Sequence, residues 1–219
     1  MSAKLSTSEL ISQYTVILSK FLPEQSVEII AKWVIHYNFD LKITQSRATK
    51  LGDYRSPFKG SRHQISVNHN LNRFAFLITL VHEIAHLSAF EKYSFAIKPH
   101  GEEWKQEYKQ LMMPFLRSNI LPDDVQLALE NYLINPAASS CADENLLRTL
   151  RKYDKKNESL VHLEDLPFKT IFKIKPERYF EKGEKQRKRY KCTELSSGRI
   201  YLFSPVAEVT PVQKTLPLL

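Results

Sequence analysis

The amino-acid sequence predicts an α+β fold followed by a small basic β module, and three observations support that prediction. Apolar residues recur at intervals of three and four over the first 37 residues, which is the period of an amphipathic helix. Between residues 41 and 67 they alternate with polar residues, as in half-buried strands. Alternation returns after residue 168, once a further set of helical segments has ended.

Two helices are expected at the start of the chain. The first spans residues 6–22, where Ser6 or Ser8 is suited to the N-cap position. Pro23 ends this helix and suits the first turn of a second one over residues 24–37, because that turn leaves its amide hydrogens unused. Each helix is expected to bury its apolar face.

A small antiparallel sheet and a buried helix are expected next. The last strand of the sheet covers residues 63–68, and turn residues separate the strands (Gly52, Pro57 and Gly60). Asn70 or Asn72 can then cap a helix with the sequence RFAFLITLVHEIAHLSAF. Apolar residues cover most of its circumference, so this helix is expected to be buried.

The remaining pattern divides the chain into two domains and a connection. Helices over residues 102–116 and 122–133 complete a first domain, which we assign to residues 1–140. Residues 141–160 are polar and weakly periodic, as in a linker or a loosely packed helix. The small β module occupies residues 161–219, where segments 168–174, 188–193 and 199–203 alternate and Gly198 marks a turn.

Charge is concentrated in the β module. The chain has a formal net charge of +8, and residues 168–191 contain ten Lys or Arg against three Glu. A basic surface of this kind attracts phosphate-rich or other acidic partners. With five glycines and no P-loop or dinucleotide-binding spacing, the sequence does not favour nucleotide chemistry.

Cysteine content and hydropathy indicate a reducing, aqueous compartment. Cys141 and Cys192 are too few for a disulfide framework or a four-cysteine zinc site. The N-terminus lacks the apolar core of a signal peptide, and no apolar run reaches the roughly 20 residues that span a bilayer. We therefore expect a cytoplasmic protein with no membrane partner, and the sequence leaves the oligomeric state open.

The strongest chemical motif is H-E-x-x-H, formed by His82, Glu83 and His86 within the buried helix. Four residues advance a helix by about 400°, so both imidazoles emerge from one face and can share a tetrahedral ion. A catalytic zinc site takes three protein ligands and leaves a position to water. His100, between Pro99 and Gly101, is our candidate for the third ligand, and Glu83 for the general base. The alternative is a pair of ordinary core histidines.

This region resembles a known family of metallopeptidases. The run VHEIAHLSAFEKYSFAIKPHGEEWK is similar to the SprT-like zincins, which include the Spartan proteases. In that family H-E-x-x-H is followed by His-Gly-x-x-aromatic, here His100 to Trp104. The upstream segment RATKLGDYRSPFKGSRHQISVNHNLN also resembles the family, so that the likeness covers roughly residues 5 to 120.

The resemblance implies one Zn²⁺ per chain, held by His82, His86 and His100, with Glu83 as the catalytic glutamate. It also implies that Trp104 packs beneath the site and that substrates include proteins crosslinked to DNA. Many members end in a zinc ribbon of two cysteine pairs, whereas here Cys192 stands alone. We therefore expect a degenerate, metal-free ribbon-like module, supported by packing of aromatic residues (Tyr190, Tyr201 and Phe203).

Further residues have two interpretations each. The C-terminal module contains a run of basic residues (Lys185, Arg187, Lys188, Arg189 and Lys191). This run can bind nucleic acid, with Tyr179, Phe180 and Tyr190 stacking on exposed bases, or it can form a solvated hairpin. His63 either lies beside a strand that follows the active-site cleft and pairs with substrate, or is an ordinary surface residue.

The functional alternatives follow from the same residues. The leading function is proteolysis by metal-activated water. The main alternative is a DNA-binding or scaffold protein with a mainly structural zinc site. A third alternative is the hydrolysis of a substrate other than a peptide, and no residue in the sequence supports it.

Overall fold

The computed structural model describes residues 6–47, 50–94, 97–137, 143–155, 160–174 and 177–212. The chain divides into two compact units, Met1–Asp154 and Lys155–Leu219. The described residues form six α-helices and two separate sheets, which agrees with the α+β class. Cys141 lies outside the described residues.

The N-terminal unit begins with the two expected helices, α1 (Thr7–Leu18) and α2 (Glu24–His36). Ser6 caps α1 in a capping box with Glu9, which satisfies amides that the helix itself leaves free. Pro23 is the N-cap of α2. The apolar face of α2 is buried in the main core, as its periodicity indicates.

The first sheet contains β1 (Phe39–Thr44), β2 (Gly52–Arg55) and β3 (His63–Asn68) in the order β1-β3-β2. The prediction of an antiparallel sheet is wrong for one pair, because β1 and β3 run parallel. Only β2 and β3 are antiparallel. Alternation identifies strands but carries no information on which strands become neighbours, and here the last strand inserts between the first two.

Helix α3 (Arg73–Tyr93) packs on this sheet and forms the centre of the core. The side chain of Asn72 caps it by accepting hydrogen bonds from the amides of Phe74 and Ala75. By length and composition α3 is apolar enough to cross a membrane, but 78% of its most apolar window is buried inside the unit. Such burial is typical of a core helix in a globular domain.

Three helices complete the N-terminal unit: α4 (Glu102–Leu116), α5 (Asp123–Ile134) and α6 (Glu144–Arg151). Helix α6 lies in the stretch that we interpreted as a linker or loosely packed helix. Its Leu146 and Leu150 are buried in the main core. The Asn72 side chain also donates to the Leu150 carbonyl oxygen at 2.9 Å, which ties the end of α6 to the start of α3.

The C-terminal unit is a six-stranded antiparallel sheet with its own small core. Its strands follow the order β4-β9-β5-β6-β7-β8 (β4 Val161–His162, β5 Ile171–Ile174, β6 Arg178–Gln186, β7 Arg189–Glu194, β8 Ile200–Phe203, β9 Glu208–Pro211). The core contains the free thiol of Cys192, and the three expected aromatic residues pack against it (Tyr190, Tyr201 and Phe203). The long strand β6 carries too many charges to alternate clearly in sequence.

Candidate metal centre

The structure brings His82, His86 and His100 together. His82 and His86 lie about one turn apart on α3. One ring nitrogen from each histidine lies within 4.8 Å of the others, and the Nε2 atoms of His86 and His100 are 2.9 Å apart. His82 is buried, whereas the other two are half-buried. The cluster therefore has one side closed by protein and another that solvent reaches.

His100 reaches the two helix histidines because a tight turn precedes α4. The Gly101 amide closes this turn by donating to the Lys98 carbonyl oxygen at 2.9 Å. His100 has a φ of 59°, which lies in the left-handed region that few residues other than glycine adopt. Conformations of this kind cluster at functional sites, where surrounding contacts hold the residue in place.

The three imidazoles are disposed to stay neutral. Burial and repulsion by the other two rings lower the pKa of His82 to about 2. Burial and the charge of His100 lower the pKa of His86 to about 3, and burial lowers the pKa of His100. A neutral imidazole keeps a lone pair on one ring nitrogen, which is the form that binds metal ions.

Trp104 forms the base of the cluster. Its side chain is fully buried, and its ring centroid lies 4.6, 5.2 and 4.7 Å from those of His82, His86 and His100. This is the position that the resemblance implied. Because Trp104 belongs to the first turn of α4, its packing also fixes the turn that presents His100.

A buried carboxylate holds α4 against α3. Glu107 accepts hydrogen bonds from the Ser88 hydroxyl at 2.7 Å and from the Lys92 ammonium group at 2.7 Å. Both partners lie on α3. A buried charge with this many partners is satisfied, so the pairing fixes the distance between the helices that carry the three histidines.

The residues present fit a zinc ion. Zinc binds neutral imidazole nitrogen, and three protein ligands are the usual set where one position is left for water. Within the part of the chain that the structure describes, Nδ1 of His82 is buried and has no hydrogen-bond partner. Buried polar atoms are normally satisfied, and a cation at the cluster is one group that would supply a partner for this ring.

Glu83 lies beside the cluster and is enclosed by strand β2. It is 7% exposed, and the nearby backbone amide of Tyr54 favours its ionised form. Burial, followed by repulsion from the Asp53 carboxylate, raises the pKa of Glu83 to about 8. A carboxyl group whose pKa lies near neutrality is suited to accepting and returning a proton.

Gly52 makes the close approach of β2 to Glu83 sterically feasible. A Cβ atom at residue 52 would lie 2.8 Å from Cγ and 2.9 Å from Cδ of Glu83, and closer still to Oε1. The sequence pattern indicates only a turn at Gly52 and does not connect Tyr54 with the site. The strand pairing that brings both residues to α3 leaves no local signal, although a glycine beside a strand can indicate a close backbone approach.

The next features are the ion pairs of Asp53, near Glu83, and the position of His63, which differs from the one expected. Asp53 forms ion pairs with Arg55 at 3.0 Å and with Lys50 at 2.8 Å. His63 belongs to β3, which is the central strand and is paired on both sides. Because β3 has no unpaired edge, it cannot be the strand that pairs with a substrate. Strand β2 lies beside Glu83 and is an edge strand of this sheet.

The basic run lies at the β6–β7 hairpin of the C-terminal unit. All five of its side chains are exposed (Lys185, Arg187, Lys188, Arg189 and Lys191). The proposed aromatic partners differ: Tyr179 is 38% exposed, whereas Phe180 is fully buried and cannot stack on a base. The ring of Tyr190 is covered by the Lys182 ammonium group, 4.3 Å from its centroid.

Comparison with known proteins gives one match. Residues 24–124 match the model of the SprT-like family, which confirms the resemblance over the segment that contains the three histidines, Glu83 and Trp104. No curated protein and no solved structure matches the chain.

Proposed function

From the SprT-like match over residues 24–124, we propose that this chain is a zinc-dependent endopeptidase. His82, His86 and His100 would hold one Zn²⁺, and Glu83 would act as general base. One observation supports this function above all others: three imidazoles converge beside the buried carboxyl group of Glu83, which lies on the same helix as His82 and His86. We further propose that the protein works in the cytoplasm.

The residues around the cluster orient the proposed base, Glu83, and leave room for its side chain. Zinc, when bound, acts as a Lewis acid and makes water a nucleophile at neutral pH. Glu83 would take the proton that water loses and return it to the leaving amine. The Tyr54 amide favours the ionised carboxylate, and Gly52 leaves room for the group. A divalent cation nearby would favour the ionised form of Glu83, which is the form that accepts a proton.

Strand β2 is our candidate for the surface that binds substrate. Among the described strands it pairs with β3 alone, so no described strand competes with an extended peptide along its other edge. Peptides that add to a sheet edge are held by backbone hydrogen bonds. Because these bonds do not involve side chains, binding of this kind depends little on the peptide sequence. Unstructured protein segments are therefore the expected substrate class.

Chelation tests the proposed function directly. The full-length chain loaded with zinc should cleave casein, and 1,10-phenanthroline should reduce that rate at least about tenfold, because zinc-activated water is the nucleophile. Added zinc should restore the rate. Fragments would be followed by electrophoresis with and without DNA. If zinc binds but no fragments form in either arm, the protein is better described as a DNA-binding or scaffold protein with a structural zinc site.

We also propose that the hairpin binds DNA and thereby directs the peptidase to DNA-associated or DNA-crosslinked proteins. The five exposed basic side chains lie on one two-residue turn and its flanking strands. Phosphate contacts release counterions, so binding of this kind weakens steeply with salt.

Salt dependence tests the hairpin. If all five basic residues contact phosphates, affinity for a single-stranded DNA oligonucleotide should fall about a hundredfold between 50 and 200 mM salt. Replacing Arg187 and Lys188 with alanine should reduce the slope of log affinity against log salt by about 0.7 for each lost contact. Lys32→Ala, which removes an exposed charge paired with Glu28, serves as the control. An affinity that does not respond to salt would contradict DNA binding by this hairpin.

A further inference from the structure

We propose that a hydrogen-bonded chain from Tyr54 through His63 to Glu91 positions Glu83 and His86 for the reaction. We call it the Tyr54–His63–Glu91 chain. The inference rests on the proposed peptidase function and adds three positioning residues that do not touch the metal cluster by hydrogen bonds. The sequence pattern assigns no role to Tyr54 or Glu91, and it leaves His63 as either a surface residue or part of a substrate-binding strand.

The chain has a defined direction. The Tyr54 hydroxyl lies 3.0 Å from Nδ1 of His63, and Nε2 of His63 lies 2.7 Å from Oε1 of Glu91. An ionised carboxylate only accepts hydrogen bonds, so Nε2 of His63 donates to Glu91. When His63 is neutral, Nδ1 is then an acceptor, and the Tyr54 hydroxyl donates to it. Each group thus fixes the orientation of the next, as outer partners do for groups in metal sites.

Tyr54 connects this chain to the catalytic group in two ways. Its ring lies parallel to that of His86, at an interplanar angle of 5° and a centroid distance of 6.2 Å. Its backbone amide favours the ionised form of Glu83. A shift or rotation of Tyr54 would therefore change the packing of a candidate zinc ligand and move an amide that stabilises the ionised base.

Strand β2 needs this additional restraint. It contains four residues and lies at the edge of its sheet, where backbone pairing with β3 holds one side. The hydroxyl of Tyr54 attaches the strand to His63 on β3, and through Glu91 to α3. The ring of Phe90 packs against the rings of Tyr54 and His63, with centroid distances of 6.4 and 5.7 Å. The proposed base and two of the three candidate zinc ligands lie on α3 itself, so the chain ties β2 to the helix that it must face.

The position of His63 also favours this role. His63 is 7% exposed, whereas the Glu91 side chain is about half exposed. Both line an open cavity of about 540 Å³ that extends to Tyr37 and Arg62. A buried imidazole requires hydrogen-bond partners on both nitrogens, and here each nitrogen has one. The partners lie on two different elements, which is what a positioning contact requires.

A double-mutant cycle in the full-length chain tests the inference. Tyr54→Phe removes the hydroxyl but keeps the ring and the amide, and it should lower kcat for casein-derived peptide cleavage about tenfold while KM changes less than twofold. His63→Ala should do the same. The double variant should be no worse than either single variant, because residues that act through one chain are not additive. Tyr132→Phe is the matched control, since it removes a partly buried hydroxyl that donates to the Ala137 carbonyl oxygen, and it should leave kcat unchanged.

A second measurement does not depend on activity. In the metal-free protein, the amide proton of residue 54 should move upfield in the NMR spectra of Tyr54→Phe and His63→Ala as it moves away from the Glu83 carboxyl group, and it should stay in place in Tyr132→Phe. If His63→Ala fails to fold, His63→Asn, which keeps a side-chain acceptor, should restore the wild-type amide position and rate.

The outcomes separate the two proposals. Unchanged kcat in both single variants, or additive losses in the double variant, would overturn the positioning role while the peptidase function stands. Absence of chelator-sensitive cleavage in the unaltered protein would remove the peptidase function, and the NMR measurement would then decide the inference alone. An unmoved Tyr54 amide in Tyr54→Phe and His63→Ala would show that the chain does not position Glu83.

Discussion

Replacing Glu83 with glutamine should reduce peptide cleavage by a factor of about 10² to 10⁴, the contribution that a general base usually makes. The substitution keeps the size of the side chain and an oxygen that can accept from the Tyr54 amide. It removes only the ability to take a proton. Zinc content, measured by elemental analysis, should remain at one ion per chain, because Glu83 is not among the three converging ligands.

The control for this experiment is Glu28→Gln. Glu28 lies on the exposed surface of α2 and pairs with Lys32, an interaction of little energetic value. Its cleavage rate should equal that of the unaltered protein. If Glu83→Gln retained zinc and cleaved substrate at the normal rate, Glu83 would not be the base, and the carboxylate beside the cluster would need another explanation.

Replacing His100 with alanine should produce the second large effect, a loss of zinc binding. The remaining ligands would be His82 and His86, and two imidazoles are fewer than the three that catalytic zinc sites use. Loss of an outer partner of a ligand already costs ten- to a hundredfold in metal affinity, so loss of a ligand should cost at least about a hundredfold. Elemental analysis after dialysis, together with titration by a zinc-sensitive dye, would measure it.

Folding should survive this substitution, because His100 is half-buried and lies in a turn. Thermal unfolding of the metal-free variant should therefore match that of the metal-free parent. His69→Ala is the matched control, since His69 is exposed and its Nδ1 lies 3.1 Å from the Thr44 carbonyl oxygen, away from the cluster. Full zinc occupancy in His100→Ala would show that another residue supplies the third ligand.

The parts of the fold that depend on local interactions were predictable from the sequence. Ser6, Pro23 and Asn72 begin helices at the expected positions because capping depends on residues within one turn. The two histidines of α3 share a face because helical geometry places residues four apart on one side. The turn around His100 was also expected, since Pro99 and Gly101 mark it in the sequence.

The parts that depend on distant contacts were not predictable. The insertion of β3 between β1 and β2 makes one strand pair parallel, and no alternation pattern encodes it. That same insertion brings Gly52 and Tyr54 to Glu83 and joins Tyr54 to His63. Strand β6 was missed because its charges hide the alternation of its buried residues, among them Lys182.

Gly52 has a consequence for how the protein can change over generations. Three atoms of one glutamate occupy the space that any side chain at residue 52 would need. A side chain there would displace the Glu83 carboxyl group, so a mutation would harm the proposed reaction without altering any group that performs chemistry. A residue with no functional group is therefore expected to be under the same selection as the proposed base.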